Sequence, residues 1–236
     1  MDEILNNTTK FEKVLGYEFV DKHLLVAAFT HRSYLNENKG YPLPHNERLE
    51  FLGDAVLELV TTEYLYHAYP DKTEGELTSI RAALVNTVSL SARAEELGLD
   101  DHLLMSKGEQ KDKGRARGVI WANAFEALIG ALYIDGGYKA AKKFIERVLM
   151  VETNAIVEQS LWQDPKSVLQ EKAQEHEGKT PIYKVIKSAG PDHAKRFTVG
   201  AYIGTRLAGK GIGMSKQEAE TAAAKEAIET SNWSQV

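Results

Sequence analysis

The 236-residue chain has no cysteine. Disulfide frameworks, zinc–thiolate sites and thiol nucleophiles are therefore excluded, and any metal must sit on oxygen or histidine ligands. Long apolar runs are missing too. No stretch approaches the ~18 uninterrupted apolar residues of a membrane span. The opening MDEILNNTTKFEKVLGY carries acids early and does not read as a secretory signal. The expectation is a cytoplasmic protein with no membrane partner. Nor is there an excess of basic charge: the net charge is −5, a poor match to a polyanion for the chain taken whole. The balance is uneven, however. Residues 164–231 hold 11 basic and 9 acidic side chains, which leaves 18 basic and 25 acidic for the remainder. Local patches decide where phosphate binds, so the acidic total excludes little.

Apolar residues recur at three- and four-residue spacing over 21–34, 46–67, 73–98, 116–134 and 138–158, which predicts helices. Gly and Pro punctuate them at Gly40-Tyr41-Pro42, Tyr69-Pro70 and Gly136-Gly137. The period changes near 155–163. Asp164-Pro165 is a helix start, with Asp as N-cap and Pro at the first helical position, and the helix stops at Gly178. Strand-like runs follow at Ile182–Lys187, Arg196–Ile203 and Arg206–Gly211. Ser215-Lys216-Gln217-Glu218 is then a capping box opening an alanine-rich helix that ends near Thr230. The expected organisation is an all-α domain over 1–158 and an α-β-β-β-α domain over 159–236.

The segment Asn46-Glu47-Arg48-Leu49-Glu50-Phe51-Leu52-Gly53-Asp54 carries the most chemistry. On a helix, Glu47, Glu50 and Asp54 fall within an arc of about 60°, with Leu49, Leu52 and Val56 on the other side. Like charges at these spacings oppose folding, and a hard cation would offset that. Asn123 and Glu126 have i, i+3 spacing on another helix and would complete an oxygen-ligand set. Acids on one helix face are also commonly a plain solvated surface. Glu58, one turn past Asp54, shows how readily they line up, so spacing alone leaves both readings open.

Asn46 through Asp54, NERLEFLGD, resembles the signature of the ribonuclease III family. Ala28-Phe29-Thr30-His31-Arg32-Ser33-Tyr34, Glu74-Gly75-Glu76-Leu77 and Glu126-Ala127-Leu128-Ile129-Gly130-Ala131 are also family-like. The C-terminal pattern is similar to the double-stranded-RNA-binding domain that follows the catalytic domain in bacterial members. The resemblance spans nearly the whole chain in order. It implies an all-helical endonuclease domain that hydrolyses double-stranded RNA with Mg²⁺, Mn²⁺ substituting. It also implies 5′-phosphate and 3′-hydroxyl staggered ends, a role in rRNA and mRNA processing, and a homodimer through the catalytic domain. No small-molecule cofactor is implied. Asp54 and Glu126 match the catalytic residues; Glu50, position 123 and Glu126 match the metal ligands. Glu47 is linked to the site and to RNA contacts, and Glu58 matches no family acid.

One position departs from the pattern: the family usually has Asp where this chain has Asn123. Asn keeps one carbonyl oxygen and loses the charge, so weaker Mg²⁺ binding is expected. In the second domain the resemblance implies RNA contacts from Gln170 and Glu171 on the first helix. It implies others from His193 in the loop Gly190–Ala194, and from Ser215 and Lys216 at a helix start suited to phosphate, with Lys210 beside them. Lys107, Lys111, Lys113, Arg115 and Arg117 form a basic, glycine-punctuated loop in the first domain that reads as a further phosphate contact or as a merely mobile loop. His31 reads as structural. Two functions compete: an RNA-processing hydrolase, and a catalytically silenced dimer that only binds double-stranded RNA. Silencing predicts the loss of several carboxylates, and one is altered here. A DNA nuclease is disfavoured because the second domain is suited to A-form geometry.

Overall fold

The computed structural model describes residues 2–111, 114–191, 195–231 and 233. It divides into two compact units, Met1–Trp162 and Gln163–Val236.

Unit 1 is helical: α1 (Asp2–Leu15), α2 (Lys22–Ala28), α3 (Arg32–Glu37), α4 (Glu47–Ala68), α5 (Glu74–Leu84), α6 (Thr87–Glu96), α7 (Lys107–Lys111), α8 (Arg115–Val148) and α9 (Thr153–Glu158). One-turn 3₁₀ helices lie at Leu99–His102 and Met150–Glu152. Local hydrogen bonds interrupt the runs that periodicity joined. The stretch 73–98 is two helices because Asn86 intervenes. Its side chain accepts from Ser89 N–H at 3.0 Å, capping α6, and donates to the Ala82 and Ala83 carbonyls at the end of α5. An amide side chain that satisfies both helix ends lets the chain turn between them. The run 21–34 is split at Thr30, whose backbone bridges to Leu104, and His31 caps the helix that follows. Conversely, α8 continues through Gly136-Gly137 with a kink, where Gly137 takes φ 70° and ψ −173°. That left-handed φ is accessible to glycine at little cost.

The core of unit 1 gathers large side chains, among them Phe11, Leu57, Ile80, Phe125, Leu128 and Leu132, around the pair α4 and α8. By length and composition α8 is apolar enough to cross a membrane, but here it is the central helix, packed against α2, α4 and α6.

Unit 2 runs α10 (Pro165–Glu177), β1 (Pro181–Ala189), β2 (Arg196–Ile203), β3 (Arg206–Gly213) and α11 (Lys216–Thr230). Asp164 caps α10 by accepting from Ser167 N–H at 3.2 Å, and Gly178 closes it at φ 65°. The sheet is antiparallel in the order β1-β2-β3, with irregular register between Val185 and Lys187 and at Ala201/Tyr202. Its core is small: Leu169, Ala173, Ala201, Ile203 and three alanines of α11. Ser215 accepts from Glu218 N–H at 3.1 Å. The expected reciprocal half of the capping box is displaced by one residue. The Glu218 carboxylate takes the N–H of Met214 at 2.9 Å instead of that of Ser215.

Candidate active site

The site begins at Asn46, which is 2 % exposed. Its N–H donates to the Thr30 carbonyl at 2.9 Å and its side-chain amide to the Ala28 carbonyl at 3.3 Å. Its own carbonyl accepts from Glu50 N–H at 2.9 Å. The first turn of α4 is thereby fastened to the end of α2.

Two glycines then bring α4 against α8. A Cβ on Gly53 would lie 1.8 Å from the Glu126 carbonyl oxygen, and one on Gly130 would lie 2.2 Å from that of Leu49. Only glycine permits backbones to approach this closely. Glu50 and Asp54 flank Gly53 on α4, while Asn123 and Glu126 precede Gly130 on α8, so the contact brings the four side chains together. The electrostatics record this proximity. Burial first, then the charges of Asp54 and Glu50, push the Glu126 carboxyl up to about 7. Burial, then the charge of Glu47, also raises Glu50, with Asp54 adding to the rise and a hydrogen bond from Asn123 opposing it.

The remaining acids of α4 each have a basic neighbour, Lys142 at 3.1 Å in the case of Glu63. Glu47 pairs with Arg32 at 3.3 Å and His45 at 3.8 Å, and Glu58 with Arg81 at 2.8 Å. Glu58 is thus a structural ion pair. Glu50, Asp54 and Glu126 form no ion pair among the described residues, so a partly buried group of carboxylates is held without a counter-charge. No three carboxylate or imidazole groups among the described residues converge into a ready-made cage for a metal. The donor set suits a hard cation that keeps part of its water shell, as Mg²⁺ does. Glu50, Asn123 and Glu126 would offer the oxygens, and a cation would supply the missing charge.

His31 is a structural cap. Its Nδ1 accepts from Ser33 N–H at 3.3 Å, and the Ser33 hydroxyl in turn accepts from Ser106 N–H at 3.0 Å. The basic segment divides. Lys107 and Lys111 are exposed on the short α7. Arg117 is turned inward: it pairs with Asp100, donates to the Gln110 carbonyl at 2.8 Å and stacks over Trp121 at 5.6 Å. It is therefore engaged in packing, contrary to a free phosphate contact. Lys113 lies outside the described residues.

In unit 2, Gln170 and Glu171 are exposed on α10, and Lys216 is exposed at the first position of α11. The Lys166–Glu220 ion pair, 2.5 Å, ties the start of α10 to the N-terminal half of α11. The Ser215 oxygen serves as cap, leaving its hydroxyl proton to donate. His193 lies outside the described residues. Residue spacing does not mark Asn46, Gly53 or Gly130 as positioning residues. The available signal was glycine inside two strongly helical patterns, which usually marks close packing.

Two family models cover the two units. One described as ribonuclease-III-like matches residues 21–153, and one described as a double-stranded RNA binding motif matches residues 165–230. The chain belongs to the ribonuclease III family. The protein named Ribonuclease 3 in Protochlamydia amoebophila is 42 % identical over 228 residues, spanning 97 % of this chain and 93 % of that one. Its namesake in Desulforamulus reducens is 45 % identical over 215 residues, spanning 91 % and 87 %. Among solved structures, a ribonuclease III nuclease domain from Campylobacter jejuni is 46 % identical with a TM-score of 0.55. The match covers 61 % of this chain and 96 % of that domain, which is described as flexible in a region involved in dimer formation.

Proposed function

We propose that this chain is a Mg²⁺-dependent endoribonuclease that cuts double-stranded RNA to staggered 5′-phosphate and 3′-hydroxyl ends, Mn²⁺ substituting, in the cytoplasmic processing of rRNA and mRNA precursors. The observation that carries the reading is the group Glu50, Asp54 and Glu126, held together at a glycine contact without a counter-charge. The match of the second unit to a double-stranded RNA binding motif supports the substrate.

Glu50, Asn123 and Glu126 would hold the cation. When bound, it lowers the pKa of an attacking water and neutralises charge on the transferring phosphate. Asp54 and Glu126 are the residues assigned to the reacting atoms. A protonated carboxyl is a poor ligand, so Glu126 would have to give up its proton to hold the cation, and cation affinity should rise as pH passes through about 7. Asn123 supplies a carbonyl oxygen and donates to Glu50, but adds no charge. Gln170, His193, Ser215 and Lys216 would grip the duplex, which is recognised by A-form shape and backbone.

A homodimer through unit 1 fits an exposed apolar stripe on α4. Phe51, in the middle of the signature, is 83 % exposed, and Leu59 and Tyr66 continue the stripe at 57 % and 69 %. The test is to incubate the protein with a long RNA duplex, with and without Mg²⁺, and to determine the product ends and their stagger. Cleavage without added metal, or 3′-phosphate ends, would refute the mechanism.

Asn123 favours a second reading, a silenced double-stranded-RNA-binding dimer. The readings separate on one substitution. For an active enzyme, Asn123→Asp lowers the half-saturating Mg²⁺ concentration about tenfold while the starting protein already cuts. A chain inert at saturating Mn²⁺ and restored by Asn123→Asp is silenced.

A further inference from the structure

Strands β1, β2 and β3 together carry Lys184, Lys187, Arg196, Arg206 and Lys210 and no acid. The acids of unit 2 lie on its helices and connections, and Glu177 on α10 neutralises Arg206. One face of the sheet is covered, since Gly209, Gly211 and Gly213 abut the backbone of α11. The other face is exposed and carries apolar side chains with Lys184 and Lys210 among them, the two cross-strand partners of Gly200. Gly200 lies at its centre, and neighbouring side chains close over it. A Cβ there would meet Leu207 and Tyr202 at 2.8 Å and Ile186 at 3.0 Å. Ile182 and Ile212 carry the patch outward on β1 and β3 and are 54 % and 64 % exposed. Scattered exposed apolar residues are ordinary, but a patch continuous over three strands marks an interaction surface.

The two edges of the sheet differ. On β3, α11 supplies a cover: the Glu226 carboxylate takes Lys210 N–H, and the Thr230 hydroxyl donates to the Ala208 carbonyl at 3.0 Å. On β1, every residue from Val185 to Ala189 is exposed. The lysines of β1 decide what this edge accepts. Lys184 and Lys187 repel the same strand of a second copy, the usual way an open edge is guarded. They attract an acidic segment. A nucleic-acid strand is the poorer match, because base stacking needs a free aromatic ring. Tyr202 is the aromatic ring on this face, and the Lys184 ammonium sits over it at 5.4 Å.

We propose that the β1 edge and the outer face of the sheet bind an extended protein segment rich in acidic and apolar side chains, added as a fourth strand. Backbone pairing supplies affinity, Ile182 and Ile186 receive the apolar side chains, and Lys184 and Lys187 select acids. Gln170, Ser215 and Lys216 belong to the helical layer on the opposite face, so the segment and an RNA duplex bind at once.

The test uses the full chain and a short fluorescent peptide of Val, Leu and Glu, read by anisotropy, with a Val, Leu and Lys peptide as its counterpart. The acidic peptide should bind, more weakly as salt rises, and with the same affinity when RNA duplex is saturating. Lys184→Glu with Lys187→Glu should weaken it at least about tenfold, leaving duplex cleavage and the melting temperature unchanged. Should that variant melt early, Lys184→Gln with Lys187→Gln serves instead. Hydrogen exchange should show β1 amides protected only with the acidic peptide. No binding, equal binding of the basic peptide, displacement by duplex, or a preference for single-stranded RNA would each overturn the proposal.

Discussion

In unit 1, Gly53 and Gly130 let two helices touch backbone to backbone within a core of large Leu, Ile and Phe side chains. In unit 2, Gly209, Gly211 and Gly213 let a strand lie flat on Ala219, Ala223 and Ala227 of α11 with few large residues nearby. The geometric device is the same and the outcome differs. Close approach in unit 1 forces carboxylates together against their repulsion, and the surrounding core holds them there. Close approach in unit 2 makes a thin platform, and polar groups such as Gln170 and Lys216 stay exposed. Glycine at a contact therefore does not by itself mark chemistry. What stands beside it on the facing elements does.

The comparison is broken most sharply by the carboxylates. Glu126→Gln or Asp54→Asn should reduce duplex cleavage on the order of a thousandfold, while gel-shift affinity for the duplex is retained. If cleavage survives, unit 1 is not the catalytic half.

The glycines come next. Gly53→Ala puts a methyl 1.8 Å from the Glu126 carbonyl and Gly211→Ala puts one 2.1 Å from that of Ala219. Each should cost about 3 kcal/mol in its own unit, the upper end for overpacking. Gly53→Ala should abolish cleavage and leave duplex binding, and Gly211→Ala should do the reverse in direction by weakening binding. Equal effects of both variants on both assays would erase the distinction between the units.

A pH titration sharpens it further. Glu126 is raised from the ordinary 4.5 to about 7 in the folded chain. A raised carboxyl contributes stability that is fully present below the ordinary value and is lost as pH climbs through the folded value. Metal-free protein should therefore weaken between about pH 5 and pH 8. Glu126→Gln should remove that slope and melt higher at pH 8, by about 2 kcal/mol, and Mg²⁺ should restore the unsubstituted protein. A flat profile would mean that the repulsion inferred at the α4–α8 contact is absent.

The smallest effect belongs to the RNA grip. Lys216→Ala should weaken duplex binding by about 1 kcal/mol and lower the salt slope by about one, without changing cleavage at saturating duplex.

Much of unit 2 was legible because its signals are local. Asp164-Pro165, Gly178 and Ser215 act on neighbours within four residues, and all three take the expected places. Unit 1 was legible in type but not in its breaks. Asn86 stops one helix and starts another by side-chain bonds that apolar periodicity does not register. Arg117 looks like a phosphate contact in sequence, but Asp100, seventeen residues away, turns it inward. The exposed sheet face depends on which side α11 covers, and a period of two does not say which side that is.

The residues alone determined the helical period of α4, the arc shared by Glu47, Glu50 and Asp54, and the family they spell. These follow from spacing along one element. Tertiary structure decided that α8 lies against that arc at Gly53 and Gly130, that Glu47 and Glu58 are paired with basic side chains, and that the Glu126 carboxyl is raised to about 7. Desolvation and Coulomb repulsion act through distances between elements, and those distances exist only once the two backbones have met.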